Sequence, residues 1–128
     1  MERLILVAAG GAIGSALRYL VATAALAWPG PGFPWGTLVV NLVGSFLIGL
    51  VQSLASESLV LGEEARLFLA TGVMGGLTTY SAFSYETVRL MERGAWGPAW
   101  FNVVGTTVAC LTLCYVGLLA GRMVMGPR

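Results

Sequence analysis

The sequence predicts an all-α membrane protein of four transmembrane helices, with a break in the third. Three observations lead to this prediction: the composition, four long apolar segments, and a glycine- and hydroxyl-rich decapeptide inside the third segment. Of the 128 residues, 57% are hydrophobic and only 10% are charged, whereas a soluble domain carries about 25% charged residues. The bilayer is therefore the expected solvent for most of the chain.

The charged residues exclude several classes of function. They are seven arginines and six glutamates, with no lysine, aspartate or histidine, which gives a net charge of +1. A chain with this balance has no basic surface that would recruit nucleic acid. Without histidine or aspartate, the common catalytic dyads and histidine-based metal sites cannot be assembled either. The sequence therefore argues against an enzyme.

The apolar segments each approach the ~20 residues that a helix needs to cross a bilayer. The first is longer than the roughly 7–15 residues of a signal-peptide core and contains Arg18, so we interpret it as a retained span. Tryptophans fall at the ends of the segments, where interfacial aromatic belts lie: Trp28, Trp35, Trp96 and Trp100. We predict one four-helix membrane domain over 1–128, with spans at about 4–26, 35–55, 65–91 and 95–121.

The distribution of arginines leaves the orientation in the membrane open. With four spans, both termini lie on the same side, and arginines are nearly balanced across the membrane: Arg3, Arg66, Arg122 and Arg128 on that side, Arg89 and Arg93 on the other. The positive-inside rule therefore gives a weak bias, and such a chain can insert in either orientation.

Paired small residues predict close helix packing in lipid. They occur as GxxxG pairs: Gly10/Gly14, Gly72/Gly76 and Gly117/Gly121. The packing could be within one bundle or between subunits. Four short helices enclose little space for polar side chains, so we favour a second subunit.

The most informative stretch is the decapeptide from Gly75 to Ser84, GGLTTYSAFS. Irregular backbone at membrane depth is tolerated only where it is buried in protein or lines a wet cavity. This decapeptide therefore predicts a break in the third helix at a site that handles an ion or polar solute. Tyr80 and Phe83 share a helix face there, and their electropositive ring edges could coordinate a small anion; ordinary core packing is the alternative.

Polar stripes on two other spans could line such a path or simply join helices by hydrogen bonds. On the second span the stripe has helical spacing: Thr37, Asn41, Ser45 and Gln52. The fourth span carries a weaker stripe: Asn102, Thr106 and Cys110.

Two charged residues lie within the spans. An intramembrane arginine such as Arg18 is a functional candidate by default, although it could instead extend to the interface as an anchor. Glu86 lies in the later half of the third span. It could form an ordinary helical ion pair with Arg89, three residues on.

Three blocks of this chain resemble the Fluc (CrcB) family of microbial fluoride channels, and the resemblance extends over almost the whole length. The blocks are GGAIGSALR at 10–18, GTLVVNLVG at 36–44, and 71–86 from Thr71-Gly72 to Ser84-Tyr85-Glu86. The family usually has Phe-Ser-Thr-Phe-Ser where this chain has Tyr-Ser-Ala-Phe-Ser at 80–84. A tyrosine keeps the ring-edge hydrogens and adds a phenol, which is a further hydrogen-bond donor.

The resemblance implies a fluoride channel of the cell inner (plasma) membrane that exports cytoplasmic fluoride passively and gives fluoride resistance. It implies an antiparallel, dual-topology homodimer in the lipid bilayer, with two pores along the subunit interface. A structural sodium ion would bind backbone carbonyls at the break, which correspond to Gly75 and Thr78. The implied ion pathway comprises a vestibule arginine, a pore asparagine, two ring edges, a hydroxyl track and a glutamate: Arg18, Asn41, Tyr80, Phe83, Ser81, Ser84, Thr106 and Glu86.

Two other classes of membrane protein compete with this interpretation. A small proton-coupled drug exporter needs a carboxylate deep in its first span, whereas this span has Glu2 at its extreme end and Arg18 inside. A non-transporting structural protein would explain the stripes and small residues, but not the broken third span.

Overall fold

The computed structural model describes residues 1–27, 32–56 and 61–126. Every secondary-structure element in this part of the chain is a helix, and two of these helices are of the wider π type. The elements are α1 (Glu2–Leu26), α2 (Trp35–Ser56), α3 (Glu63–Arg66), a π-helix (Leu67–Met74), α4 (Gly75–Leu77), α5 (Tyr80–Glu92), α6 (Trp96–Trp100), a second π-helix (Phe101–Gly105) and α7 (Thr106–Met125). Trp28 and Arg128, which the sequence analysis used, lie outside the described residues.

The four predicted helices are confirmed, and three of them are continuous and apolar enough to cross a membrane. These are α1, α2 and the helix Trp96–Met125, which comprises α6, the second π-helix and α7. The third segment, residues 63–92, is divided after Leu77. Neither half reaches the ~20 residues that a crossing requires, so both halves are needed to cover the depth of the bilayer.

The division of the third segment falls on two threonines. Thr78 has ψ 155° and Thr79 has φ −152° and ψ 118°, which is extended backbone. Gly75, by contrast, is still helical, with φ −62° and ψ −37°. The break is thus confirmed within the predicted decapeptide, but the glycine pair does not form it.

The paired glycines bring helices together inside the chain. A Cβ added at Gly14 of α1 would overlap the carbonyl oxygen of Val73, and one added at Gly117 of α7 would overlap that of Phe46 in α2. The glycines at 72 and 76 meet the backbone of α1 in the same way. These pairs therefore serve packing within one bundle, the alternative that the sequence left open, rather than contacts between subunits.

The core is small and lies between α2 and the first half of the third segment. Its buried apolar residues are Val40, Val73, Met74 and Leu77. On α1 the buried residues are Gly10 and Gly14, and most of its large apolar side chains face outward, although Val21 packs against the core. An outward apolar surface of this kind is what a lipid-exposed helix requires.

Candidate ion pathway

The break in the third segment is held by one amide side chain from α2. Asn41 Oδ1 accepts a hydrogen bond from the backbone N–H of Thr79 at 2.8 Å. Asn41 Nδ2 donates to the carbonyl of the same residue at 3.0 Å. An unwound residue in lipid has no water to satisfy its backbone. The Asn41 amide supplies both partners, and this stabilises the extended conformation of Thr79.

Thr79 also begins the second half of the segment. Its hydroxyl accepts a hydrogen bond from the backbone N–H of Ala82 at 3.2 Å, which is the N-cap interaction that threonine favours. The same hydroxyl lies 3.3 Å from Ser81 Oγ. Our candidate site residues did not include Thr79. A threonine directly before a renewed helix was the available signal.

The break releases backbone carbonyls at the end of the first half of the segment. In a continuous helix, the N–H of Thr79 would donate to the carbonyl of Gly75, and that of Ala82 to the carbonyl of Thr78. Here these two N–H groups donate instead to Asn41 Oδ1 and Thr79 Oγ1. The carbonyls of Gly75 and Thr78 are therefore among those left without their helical donors, together with those of Gly76 and Leu77. Those of Gly75 and Thr78 are the two that the resemblance assigns to sodium.

A cavity of about 450 Å³ opens beside the break. Four of the eight predicted pathway residues border it, together with the two predicted sodium ligands: Asn41, Tyr80, Phe83 and Thr106, with Gly75 and Thr78. The two aromatic rings have centroids 5.5 Å apart and planes inclined by 41°. Tyr80 is 80% exposed, so its ring forms the outer wall of the cavity rather than part of the core.

Three of the hydroxyl protons at this cavity are already committed to other acceptors. Thr78 donates to the carbonyl of Met74 at 2.9 Å, Thr107 to that of Val103 at 2.6 Å, and Thr106 to Asn102 Oδ1 at 3.1 Å. An amide carries two N–H donors, and Asn41 uses one of them for Thr79. The second N–H of Asn41, the hydroxyls of Ser45 and Tyr80, and the ring edges therefore remain as neutral groups that can face an anion.

A second cavity of about 540 Å³ lies toward the C-terminal end of α5. Thr37 and Glu86 border it, and the Thr37 hydroxyl donates to Glu86 Oε1 at 2.8 Å. Glu86 Oε2 is buried and has no hydrogen-bond partner among the described residues. Arg89 pairs with Glu92 at 2.9 Å, so the alternative of a Glu86–Arg89 ion pair is wrong.

The two cavities are neighbours along the same pair of helices. Thr37 and Asn41 are one turn apart on α2, while Phe83 and Glu86 are three residues apart on α5. In each pair one residue borders the first cavity and the other borders the second. The two cavities therefore lie about one helical turn apart along α2 and α5, and they share no lining residue.

Three predicted pathway residues border neither cavity. Arg18 is half-buried on α1, and no carboxylate of the described residues pairs with it. Ser81 is exposed on α5, and Ser84 donates to the carbonyl of Tyr80 at 2.9 Å. A contribution of these three side chains to the pathway stays a prediction.

Comparison with known sequences identifies the family. The sequence profile described as "CrcB-like protein, Camphor Resistance (CrcB)" matches residues 5–118. The chain belongs to this CrcB family. The match runs from the first turn of α1 into the second half of α7, and so it includes the break and both cavities.

Similar CrcB-family proteins carry the name "Fluoride-specific ion channel FluC". The one from Agrobacterium fabrum is 51% identical over 122 residues, which is 95% of this chain and 98% of that protein. The one from Thermus thermophilus is 48% identical over 126 residues, 98% of this chain and 100% of that protein. The one from Geobacter sulfurreducens is 43% identical over 122 residues, 95% and 98% of the two chains.

Proposed function

We propose that this chain is a fluoride-selective ion channel, and not an enzyme. In this proposal cytoplasmic fluoride leaves the cell through it by passive permeation, which gives fluoride resistance. The FluC channels of three bacteria, each similar to this chain over nearly its whole length, support the proposal. The observation that carries it is the Asn41-held break, which presents an amide N–H and two ring edges to one cavity.

The chemistry of this cavity suits a small anion. Fluoride is a compact, strongly hydrated ion, so a pathway must replace its water with hydrogen-bond donors. Neutral donors and ring edges attract an anion without the deep binding that a full positive charge would cause, and conduction requires binding that is weak enough to release the ion. Arg89 and Arg93 border the second cavity, where positive charge would raise the local concentration of anions.

The proposed channel is a homodimer of two oppositely oriented copies. Each copy is one four-helix membrane domain over 1–128, with the third segment crossing as two halves. Tyr80 and Ser81 are exposed in a single copy, yet polar groups at membrane depth must face protein or water. A second copy would cover this face, and the nearly balanced arginines permit both orientations.

The residues at the break fit the sodium ion that the family resemblance implies. Carbonyls of unwound helices coordinate sodium in other membrane proteins, and the break releases those of Gly75 and Thr78. A Cβ placed at Gly75 would meet no atom within 4 Å, so this side of the break is open to a partner. Two carbonyls from each copy would hold the ion, which would supply positive charge that links the subunits.

Fluoride efflux from liposomes that contain the purified protein tests the proposed function. A fluoride electrode should record rapid efflux, and a chloride electrode should record none above that of protein-free liposomes. Equal fluoride and chloride efflux would contradict the proposal, as would proton-coupled transport of cationic drugs in place of fluoride.

The ionic composition of a detergent solution tests the sodium site separately from transport. Replacement of sodium by the bulky cation N-methylglucamine should shift the protein from dimer to monomer in light scattering. Restored sodium should reverse the shift, whereas a dimer that is indifferent to sodium would contradict the site.

A further inference from the structure

A buried chain of hydrogen bonds joins the fourth helical segment (Trp96–Met125) to α5. The Thr106 hydroxyl donates to Asn102 Oδ1 at 3.1 Å, and Asn102 Nδ2 donates to Thr87 Oγ1 at 2.8 Å. The Thr87 hydroxyl in turn donates to the backbone carbonyl of Phe83 at 2.7 Å. Asn102 is 2% exposed, Thr87 5% and Thr106 6%, so water cannot replace any of these bonds.

The direction of every bond in this chain is fixed. A carbonyl can only accept, so the single proton of Thr87 is used on Phe83, and Thr87 must accept from Asn102. Asn102 must then turn its N–H group toward Thr87 and its oxygen toward Thr106. Such a chain is cooperative, because each bond polarises the next.

The two ends of this chain of hydrogen bonds lie on the candidate ion pathway, and its middle does not. Thr106 and Phe83 border the cavity beside the break, whereas Asn102 and Thr87 border neither cavity. The chain therefore connects two walls of the pathway through residues that an ion in the cavity would not touch.

The position of α5 depends on such contacts because the break separates it from the helix before it. On one side α2 holds α5 through Asn41 and Thr79 and through Thr37 and Glu86. On the other side, within the described residues, the bond from Asn102 to Thr87 is the one side-chain hydrogen bond between α5 and residues 96–125. Loss of it would leave the rotation of α5 about its axis fixed by polar contacts from α2 alone.

We infer that Asn102 and Thr87 are positioning residues for ion selectivity. They fix the rotation of α5 and so aim the ring edge of Phe83 into the cavity, without contacting the ion themselves. This inference rests on the proposed fluoride channel. It differs from a purely structural role, because a misdirected ring would change conduction and selectivity in protein that is folded and assembled.

The test compares threonine variants by single-channel recording, which separates the current of each channel from the number of channels. Thr87→Val keeps the shape of the side chain and removes the hydroxyl. We expect the unitary fluoride current to fall about five-fold, the factor that corresponds to one hydrogen bond of about 1 kcal/mol, and chloride permeability relative to fluoride to rise. Thr87→Ser, which restores the hydroxyl, should restore both quantities.

Thr112→Val is the matched control. The Thr112 hydroxyl also donates to a carbonyl four residues earlier, at 2.8 Å, but it accepts no bond from another segment among the described residues. Loss of the Thr112 hydroxyl should leave the unitary fluoride current and the chloride permeability relative to fluoride unchanged. Asn102→Leu should reproduce the effect of Thr87→Val, and the double variant should lose no more than either single one, because all of them break the same chain.

Wild-type current and selectivity in Thr87→Val would overturn the inference, as would an equal loss in Thr112→Val or a failure of Thr87→Ser to recover. Thr87→Val decides the question even if Asn102→Leu does not fold. A wild-type protein that passes no fluoride would instead contradict the proposed function itself.

Discussion

Asn41 combines a structural and a functional task in one side chain. Its amide oxygen and one N–H satisfy the backbone of Thr79, and its second N–H is left for the cavity. Neither task is visible from the spacing of the stripe on α2, which indicates only that Asn41 faces other protein or a polar path. Both tasks follow from the hydrogen bonds that Asn41 makes to Thr79, 38 positions away in the sequence.

Replacement of Asn41 by aspartate should suppress fluoride flux. A unit charge held about 4 Å from an anion at an effective dielectric constant of about 20 costs about 4 kcal/mol, so we expect a loss of more than roughly a hundredfold. Liposome efflux measures the loss. Gln52→Glu is the matched control, because Gln52 is exposed on the same helix and borders neither cavity. Wild-type flux in folded Asn41→Asp protein would return Asn41 to a packing role.

Replacement of Phe83 by isoleucine should slow fluoride flux at similar side-chain bulk. The change removes the electropositive ring edge from the cavity. Contacts between two aromatic rings contribute about 0.5–1.5 kcal/mol, and a loss of similar size here corresponds to a decrease of up to roughly tenfold. Phe101→Ile is the control, because Phe101 is exposed and borders neither cavity. Equal efflux rates for the two variants would show that the ring edge at position 83 does not contact the ion.

At the scale of the element, α5 is a separate helix with its own N-cap, Thr79. Its first turn depends on the Thr79 hydroxyl for a cap, and its position depends on side chains of α2 and of the fourth segment. The break therefore makes α5 a separate half-helix whose position polar contacts help to fix. This explains why polar pairs are concentrated around α5, while α1 is held by glycine contacts.

Removal of the Thr79 hydroxyl should destabilise the start of α5. Thr79→Val leaves the backbone groups that bond to Asn41 and removes the acceptor for Ala82, at a cost of about 1 kcal/mol in the free energy of unfolding. Denaturation of the detergent-solubilised protein, followed by circular dichroism, measures the cost. Thr79→Ser keeps the cap and should resemble the wild type. An equally stable valine variant would show that the cap contributes nothing.

The elements could be predicted from the sequence because their signals are local. Hydropathy fixes α1 and α2, and the run from Gly75 to Ser84 marks the break. The candidate site, by contrast, depends on hydrogen bonds between residues that are far apart in the sequence, and no local pattern shows these. Thr37 is the partner of Glu86 across 49 positions, whereas the local rule suggested Arg89.

At the scale of the whole molecule, the outer surface combines apolar helices with exposed polar groups, among them those of Tyr80 and Ser81 beside the break. The GxxxG glycines are used inside the bundle, so they do not supply the subunit contacts that we expected of them. The exposed face around Tyr80 and Ser81 is a part of the surface that lipid does not suit. In the proposed dimer this face, with the released carbonyls beside it, forms the interface.

A cysteine in α3, at the start of the third segment, should report both orientations. Glu64 is exposed there, and Glu64→Cys in a background without the cysteines at 110 and 114 provides one reactive thiol. In intact cells, a membrane-impermeant maleimide should label about half of the protein, because the proposed inverted dimer places one of its two copies each way. Permeabilised cells should label fully. Complete labelling or none in intact cells would contradict the inverted assembly.

The central claim is that the break beside Asn41 forms a pathway selective for fluoride. The most direct measurement is the reversal potential of the purified protein in a planar bilayer, with sodium fluoride on one side and an equal concentration of sodium chloride on the other. We predict a large reversal potential of the sign that fluoride permeation sets, because the cavity offers donors suited to the smaller ion. A reversal potential near zero, which indicates equal permeability to both anions, or one of the sign that chloride permeation sets, would contradict the account.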